Sequence, residues 1–285
     1  MELEKRQEDK RRIRLVVAYD GTNYHGWQVQ KNGITIESEL NRALLELTGE
    51  EIQVIGASRT DAGVHALGNI AVFDTLSPIP AGKFCYALNA RLPEDVRVIK
   101  SDEVPADWHP RKRESRKTYE YRISIGEIQQ PVKRLYAYHV YRKLDLEAMK
   151  AAAKFLVGEH DFKSFCQENA QVESTVRTLY EVTIMQEELQ DAASLTAGEA
   201  DGGNANGSNA NGSNANGGEL ILRVTGNGFL YNMVRIIVGT LLEVGYGRFT
   251  PEDVARILEA KDRAAAGPTA PARGLTLVKY EFPEE

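Results

Sequence analysis

The segments that predict strands and helices follow one another along this chain in an irregular order, and this order restricts the possible folds most strongly. Strict strand–helix alternation would indicate a parallel sheet, whereas an irregular order favours an α+β fold with largely antiparallel sheets flanked by helices. Apolar runs and alternating patterns predict strands at 13–19, 52–55, 70–73, 96–104, 118–125, 135–141, 176–185, 220–225 and 275–282. Helical spacing and capping residues predict helices at 35–48, 84–90, 145–157, 231–244 and from residue 250 onward.

Two units with a similar order of elements follow one another, and 285 residues are enough for two domains. We predict two similar halves, residues 13–110 and 111–285. The charged residues 1–12 lack the apolar segment of a signal peptide and predict a flexible tail, with contact to RNA as the alternative. Residues 201–218 contain NANGS twice and NANGG once. Such a sequence buries almost no surface, so we predict a disordered loop, with a partner-binding loop as the alternative.

The composition indicates the cellular compartment and limits the classes of possible partner. Cys85 and Cys166 are far apart and match no metal-binding or redox spacing, which indicates reduced thiols in a cytoplasmic protein without a metal. The longest apolar runs have only about ten residues, too few to span a bilayer, so no membrane is expected. The net charge of −6 does not exclude nucleic acid, because binding depends on where the basic residues lie.

A polar loop with the sequence SRTDAGVHA, at 58–66, carries the strongest chemical signal in the chain. It connects two predicted strands, and such loops present functional groups on a rigid scaffold. Asp61 is its only carboxylate, and Gly63 permits a tight turn. The neighbouring apolar residues Val64 and Ala66 indicate that the loop folds inward. An ordinary turn-capping role is the alternative for Asp61.

A half-buried carboxylate requires a partner, and the sequence offers two arginines. Arg59 is the local candidate. Arg235 is the better one, since an arginine between apolar residues of a predicted helix is rarely buried unless it is paired. An arginine partner would keep Asp61 ionised, lower its pKa and orient it as a nucleophile.

Cationic and aromatic side chains are interleaved at residues 108–122, which include Arg111, Lys117 and Tyr119. Phosphates attract the cations, and unstacked bases stack on aromatic rings, so the segment indicates RNA binding. A solvated basic strand is the alternative. The turn-rich segment after the first strand, which includes Trp27, is a weak signal by itself, because a core role explains Trp27.

Five blocks, in this order, resemble the TruA family of tRNA pseudouridine synthases from about Ile13 to Phe282: YDGTNYHGWQ, SRTDAGVHA, KTYEYR, NGFLYNMVRIIVGTLLEVG and AGPTAPARGLTL. The resemblance implies isomerisation of uridine to pseudouridine at positions 38, 39 and 40 of the tRNA anticodon stem-loop. It implies a homodimer that uses neither a metal nor an organic cofactor. It also implies the pseudouridine synthase fold, in which two α+β halves enclose a basic cleft.

The resemblance gives roles to particular residues. Asp61 matches the family's essential aspartate, Tyr119 matches the tyrosine that stacks on the substrate base, and Arg235 matches the arginine that pairs with the aspartate. The target uridine must be flipped out of its stem to be reached. The cations expected to hold its phosphates are Arg59, Arg111 and Lys117.

The chemical route and the target leave alternatives open. Asp61 could attack C1′ of the ribose, add to C6 of uracil or remove a proton from C2′, and Tyr119 could take part in removing the C5 proton. Other candidate functions are a non-catalytic tRNA-binding protein, a pseudouridine synthase with another RNA target, and a hydrolase that uses Asp61 with His65.

Overall fold

The computed structural model describes residues 10–167, 172–188 and 218–283. The strands in these ranges are β1 (Arg11–Tyr19), β2 (Ile55–Gly56), β3 (His65–Thr75), β4 (Val96–Val104), β5 (Arg116–Ile125), β6 (Tyr138–Val140), β7 (Gly158–Asp161), β8 (Val176–Glu188), β9 (Gly218–Gly226) and β10 (Leu275–Glu281). The α-helices are α1 (Ile36–Thr48), α2 (Phe84–Asn89), α3 (Leu146–Ala153), α4 (Met233–Gly245) and α5 (Asp253–Ala260).

The strands form one sheet in the order β4-β1-β3-β10-β5-β9-β8-β7, with β2 paired to β3 and β6 paired to β5. Among the strand pairs of the described residues, only β3–β10 and β5–β6 are parallel. The predicted α+β class with a largely antiparallel sheet is therefore confirmed. The last strand, β10, lies between β3 and β5 and joins the elements of both predicted halves into one sheet. The division at residue 110 falls before β5 and stays a prediction.

The core covers both faces of β3, because alternate residues of a strand point to opposite sides of a sheet. Ala71 and Phe73 belong to the main apolar core, whereas Ile70 and Val72 pack with Trp108 in a smaller cluster. Trp108 is 2% exposed, so this aromatic residue of the basic segment serves the core and is not available to stack on a base.

Two predicted strands are shorter than expected. Of residues 52–55 only Ile55 pairs with β3, because the amide of Val54 donates instead to Asn41 Oδ1 of α1 at 3.0 Å. Of residues 135–141 only Tyr138–Val140 pairs with β5, since the amides of Tyr136 and Ala137 donate to Lys133 O in a turn.

Helix α3 and the strand that follows it, β7, also differ from the prediction. Asp145 caps α3 as predicted, accepting from Ala148 N at 2.9 Å, but the helix ends at Ala153 in a 3₁₀ turn. Strand β7, at Gly158–Asp161, was not predicted from the sequence, because its residues GEHD are polar and show no apolar alternation.

Two predicted flexible segments also have different boundaries. Arg11 and Arg12 belong to β1 and not to a tail, because Arg12 pairs across the sheet with Asp74, with 2.7 Å between Nε and Oδ1. Residues 1–9 and 201–217 lie outside the described residues, and Gly218 is the first residue of β9. No α-helix within the described ranges is long and apolar enough to cross a membrane.

The loop at 266–271 passes so close to α4 that Gly239 has no room for a side chain. A Cβ at Gly239 would lie 1.7 Å from Pro268 O, whereas a Cβ at Gly245 would first meet the flexible Met149 side chain at 2.7 Å. We expect Gly239→Ala to lower the free energy of unfolding in urea by about 1–3 kcal/mol and Gly245→Ala to lower it clearly less. Equal effects would show that this close approach does not exist.

Candidate active site

The loop at 57–64, which connects β2 to β3, packs against the turn that follows β1. The amide of Trp27 donates to Thr60 O at 3.0 Å. Gly26 has a φ of +87°, and a Cβ there would lie 2.6 Å from Thr60 O. The glycine therefore allows the turn to approach the loop, and Trp27, 2% exposed, is a core residue that supports it.

Asp61 lies in this loop, and its carboxylate faces Arg235 of α4. The distance between Asp61 Oδ2 and Arg235 Nη1 is 3.4 Å, and each side chain is 18% exposed. Arg235 is held by two further acceptors, since its Nε donates to Ala270 O at 2.7 Å and its Nη1 to Asn232 Oδ1 at 2.8 Å. The structure thus brings together the two side chains that the sequence pairs. Arg59 is exposed and forms no ion pair with Asp61 among the described contacts.

The pKa of Asp61 is raised, which is opposite to the direction expected from its arginine partner. Burial of the carboxylate is the larger effect, and the charge and hydrogen bond of Arg235 only partly offset it. The reason is physical: removing an anion from water disfavours the ionised form strongly. A single 3.4 Å contact with a guanidinium that also serves Ala270 and Asn232 recovers only part of this cost.

One strand, β10, lies between β5, which carries Tyr119, and β3, which the loop enters. Tyr119 therefore lies close to this loop. Leu277 of β10 pairs with Ala66 on one side and with Tyr119 on the other. The Tyr119 ring is 7% exposed and meets Phe229 edge-on, with 5.1 Å between centroids and 85° between planes. Burial raises the pKa of Tyr119, so the phenol is neutral at physiological pH.

Asp61 and Tyr119 line one pocket of about 700 Å³. Its walls come from the turn after β1, the 57–64 loop, β5 and the segment before α4. Arg235 is not among the lining residues and lies behind Asp61. The lining includes the three cations named from the sequence, Arg59, Arg111 and Lys117. It also includes side chains that were missed from the sequence, among them His25, Gln28, Phe229 and Asn232.

The three lining cations differ in their surroundings. Arg59 is exposed, and Arg111 donates from Nε to Gly56 O at 2.9 Å. Lys117 is half-buried, with its ammonium 5.2 Å from the centre of the Tyr280 ring. Burial, with repulsion from neighbouring arginines, lowers the pKa of Lys117 to about 8.

Other cations of the basic segment are engaged outside the pocket. Arg113 lies over the Trp108 ring at 5.7 Å, and Arg116 lies over the Tyr180 ring at 4.7 Å. Arg122 forms an ion pair of 2.7 Å with Glu219 on β9. The segment therefore supplies two pocket cations, whereas Arg113, Arg116 and Arg122 contact side chains elsewhere.

His65 has a structural environment that does not include Asp61. Its Nδ1 lies 3.0 Å from Asp20 Oδ1, and its Nε2 lies 3.2 Å from both Leu135 O and Arg273 O. Both ring nitrogens are thus occupied away from the pocket. This arrangement disfavours the hydrolase alternative, which needs the imidazole beside the carboxylate.

All four of these missed residues lie in sequence blocks that resemble the family. His25 and Gln28 belong to YDGTNYHGWQ, and Phe229 and Asn232 belong to NGFLYNMVR, a block noted only for Arg235. Among all the residues that the structure describes, no group of three or more His, Cys, Asp or Glu side chains could hold a metal ion.

Comparisons with known proteins show the family of this chain. The family model for tRNA pseudouridine synthase matches residues 15–111 and 152–283. The tRNA pseudouridine synthase A of Thermoanaerobacter sp. (strain X514) is 43% identical over 272 residues, covering 95% of this chain and 100% of the relative. The proteins of the same name from Acetivibrio thermocellus and Exiguobacterium sp. are 42% and 44% identical over 273 residues each, again 95% of this chain, and 100% and 98% of those relatives.

The family match includes both the loop that carries Asp61 and the helix that carries Arg235. The relatives extend over nearly the whole chain at more than two-fifths identity. The chain therefore belongs to the TruA family of tRNA pseudouridine synthases and is an isomerase of uridine in tRNA.

Proposed function

We propose that this enzyme forms pseudouridine at positions 38, 39 and 40 of the tRNA anticodon stem-loop, with Asp61 as the essential carboxylate. The observation that carries the proposal is the convergence of Asp61 and Tyr119 on one pocket, with Arg235 against the carboxylate. A pocket of this size accommodates one nucleoside and excludes a duplex. The target uridine must therefore leave its stack before it can react.

The isomerisation breaks the N1–C1′ bond and forms a C5–C1′ bond, while C5 loses a proton and N1 gains one. Attack at C1′, addition at C6 and proton removal from C2′ all begin from the ionised carboxylate. Arg235 stabilises that form against the effect of burial. Its further bonds to Ala270 and Asn232 keep the guanidinium in place during the reaction.

Tyr119 is proposed to stack on the flipped uracil, a contact that contributes roughly 1–3 kcal/mol per base. The perpendicular Phe229 ring fixes the orientation of the tyrosine. Burial raises the pKa of Tyr119, so the ring that is proposed to stack carries a neutral phenol.

Arg59, Arg111 and Lys117 are proposed to bind phosphates that flank the target uridine. Their position at the pocket that Asp61 lines supports this assignment. We also infer from the family resemblance that the enzyme acts as a homodimer. In such a dimer one subunit can hold the stem-loop while the other supports the rest of the tRNA.

An enzyme of this family with another RNA target is the second candidate, and mapping pseudouridine in total RNA separates the two. We expect deletion of the gene to remove pseudouridine at tRNA positions 38–40 and nowhere else. Wild-type enzyme should restore it, whereas Asp61→Asn should not, although the purified variant still binds tRNA. The matched control Asp102→Asn, which alters a carboxylate paired with Arg14 outside the pocket, should restore it fully.

Loss of pseudouridine at other positions would contradict the proposed target. Appreciable turnover by Asp61→Asn would contradict the role of the carboxylate, whichever positions are modified.

The contribution of Lys117 to tRNA binding should depend on pH. Its pKa of about 8 means that it is largely charged near pH 7 and loses the charge as the pH rises through about 8. We expect the affinity of the wild type for tRNA to fall between about pH 7 and pH 9. Lys117→Gln should bind more weakly at pH 7, with a salt dependence reduced by about one phosphate contact, and should lack this fall.

Lys117→Arg is the control for this measurement, because a guanidinium keeps its charge throughout the same pH range. An equal fall in affinity for Lys117→Gln and for the wild type would show that Lys117 does not contact the RNA.

A further inference from the structure

A buried amide holds the catalytic loop from the side of β3. Asn69 is fully buried, and its side chain bonds to both backbone groups of Ser58. The amide of Ser58 donates to Asn69 Oδ1 at 3.2 Å, and Asn69 Nδ2 donates to Ser58 O at 2.9 Å. The backbone ladder between the two segments ends just before, where Ala57 N donates to Ile70 O. The Asn69 side chain thus replaces a strand partner at the point where the loop leaves the sheet.

Tyr19 of β1 extends this network to a second position in the loop. Its hydroxyl lies 2.7 Å from Thr60 Oγ1 and 3.5 Å from Asn69 Nδ2. Tyr19 and Thr60 are 5% and 7% exposed. Buried anchors at Ser58 and Thr60 therefore stand on either side of the exposed Arg59 and directly precede Asp61.

The hydrogen bonds of Ser58 show that its backbone, and not its side chain, determines its position. Ser58 Oγ is buried and has no hydrogen-bond partner within the described residues. Leaving a buried hydroxyl unsatisfied disfavours the folded state, so the stabilising bonds at this residue are those from Asn69 to its backbone.

We propose that Asn69 and Tyr19 are positioning residues, which fix the backbone at 58–60 so that Asp61 faces the pocket lined by Tyr119. The proposal rests on the catalytic role proposed for Asp61. Asp61 follows Thr60 directly, and its own carbonyl accepts from Val64 N at 3.2 Å to close the next turn. The carboxylate therefore moves with its anchors. A displacement of about 1 Å in a reacting group is enough to lower a rate about 100-fold.

A second asparagine supplies a matched control. Asn89 Nδ2 donates to Val98 O at 3.0 Å, and Val98 N donates to Asn89 Oδ1 at 2.8 Å. This is the same two-bond arrangement, on a half-buried side chain that does not line the pocket. Replacement of either asparagine by aspartate keeps the shape but removes the N–H donor.

The test compares Asn69→Asp with Asn89→Asp at a temperature at which circular dichroism shows both to be folded. We expect both variants to melt below the wild type. Only Asn69→Asp should lose kcat, by about tenfold to about 100-fold, while its KM for tRNA and its affinity for tRNA remain close to those of the wild type. Wild-type kcat in Asn69→Asp, or equal losses in the two variants, would overturn the proposal.

Tyr19→Phe tests the positioning role of this network independently. If Asn69→Asp does not fold, the result for Tyr19→Phe alone decides whether the proposal holds. It removes one hydroxyl and keeps the ring, so we expect kcat to fall about threefold to about tenfold at unchanged KM. An unchanged kcat would overturn the role of Tyr19. The assay counts pseudouridine at every tRNA position and includes Asp61→Asn. Activity of Asp61→Asn would refute the role of Asp61, whereas full activity of the positioning variants alone would refute only this inference.

Discussion

The contact between Asp61 and Arg235 is the interaction on which the site depends, because it joins segments 174 residues apart. Burial raises the pKa of the carboxylate, and the guanidinium opposes that rise. Burial and Arg235 therefore have opposite effects on the ionisation of Asp61, whose ionised form is required by the proposed mechanism. Arg235 can fill this role because α4 fixes its backbone and Ala270 O fixes its Nε. The loop that supplies Ala270 reaches α4 because Gly239 leaves room for it.

The sheet explains why Asp61 shares a pocket with Tyr119, the proposed stacking residue. Strand β10 inserts between β3 and β5, and its Leu277 pairs with both Ala66 and Tyr119. Neighbouring strands lie about 4.8 Å apart, so Tyr119 is about two strand spacings from β3, the strand that the Asp61 loop enters. Strand β10 thus determines the distance between the Asp61 loop and Tyr119. Asn69 and Tyr19 then fix the loop within that frame.

The sequence predicted most of the strongly patterned elements, such as β4 and α1, and it also paired Asp61 with Arg235. It failed where tertiary contacts override local pattern. Val54 bonds to a side chain of α1 instead of a neighbouring strand, and β7 is polar. The predicted lowering of the pKa of Asp61 was wrong, because the pKa depends on how deeply the loop is buried. The role of Asn69 could not be predicted, since the sequence does not show which backbone groups the side-chain amide of a single asparagine will bond.

The pKa of Asp61 itself tests the account most directly, and NMR of the enzyme with ¹³C-labelled aspartate can measure it, with Asp61→Asn used to assign the signal. Because burial outweighs the arginine, the wild-type value should lie above the ordinary value of about 3.9 for an aspartate. Arg235→Gln removes the opposing charge, so the value should rise further in that variant. A wild-type pKa at or below the ordinary value, or one that Arg235→Gln leaves unchanged, would contradict the account.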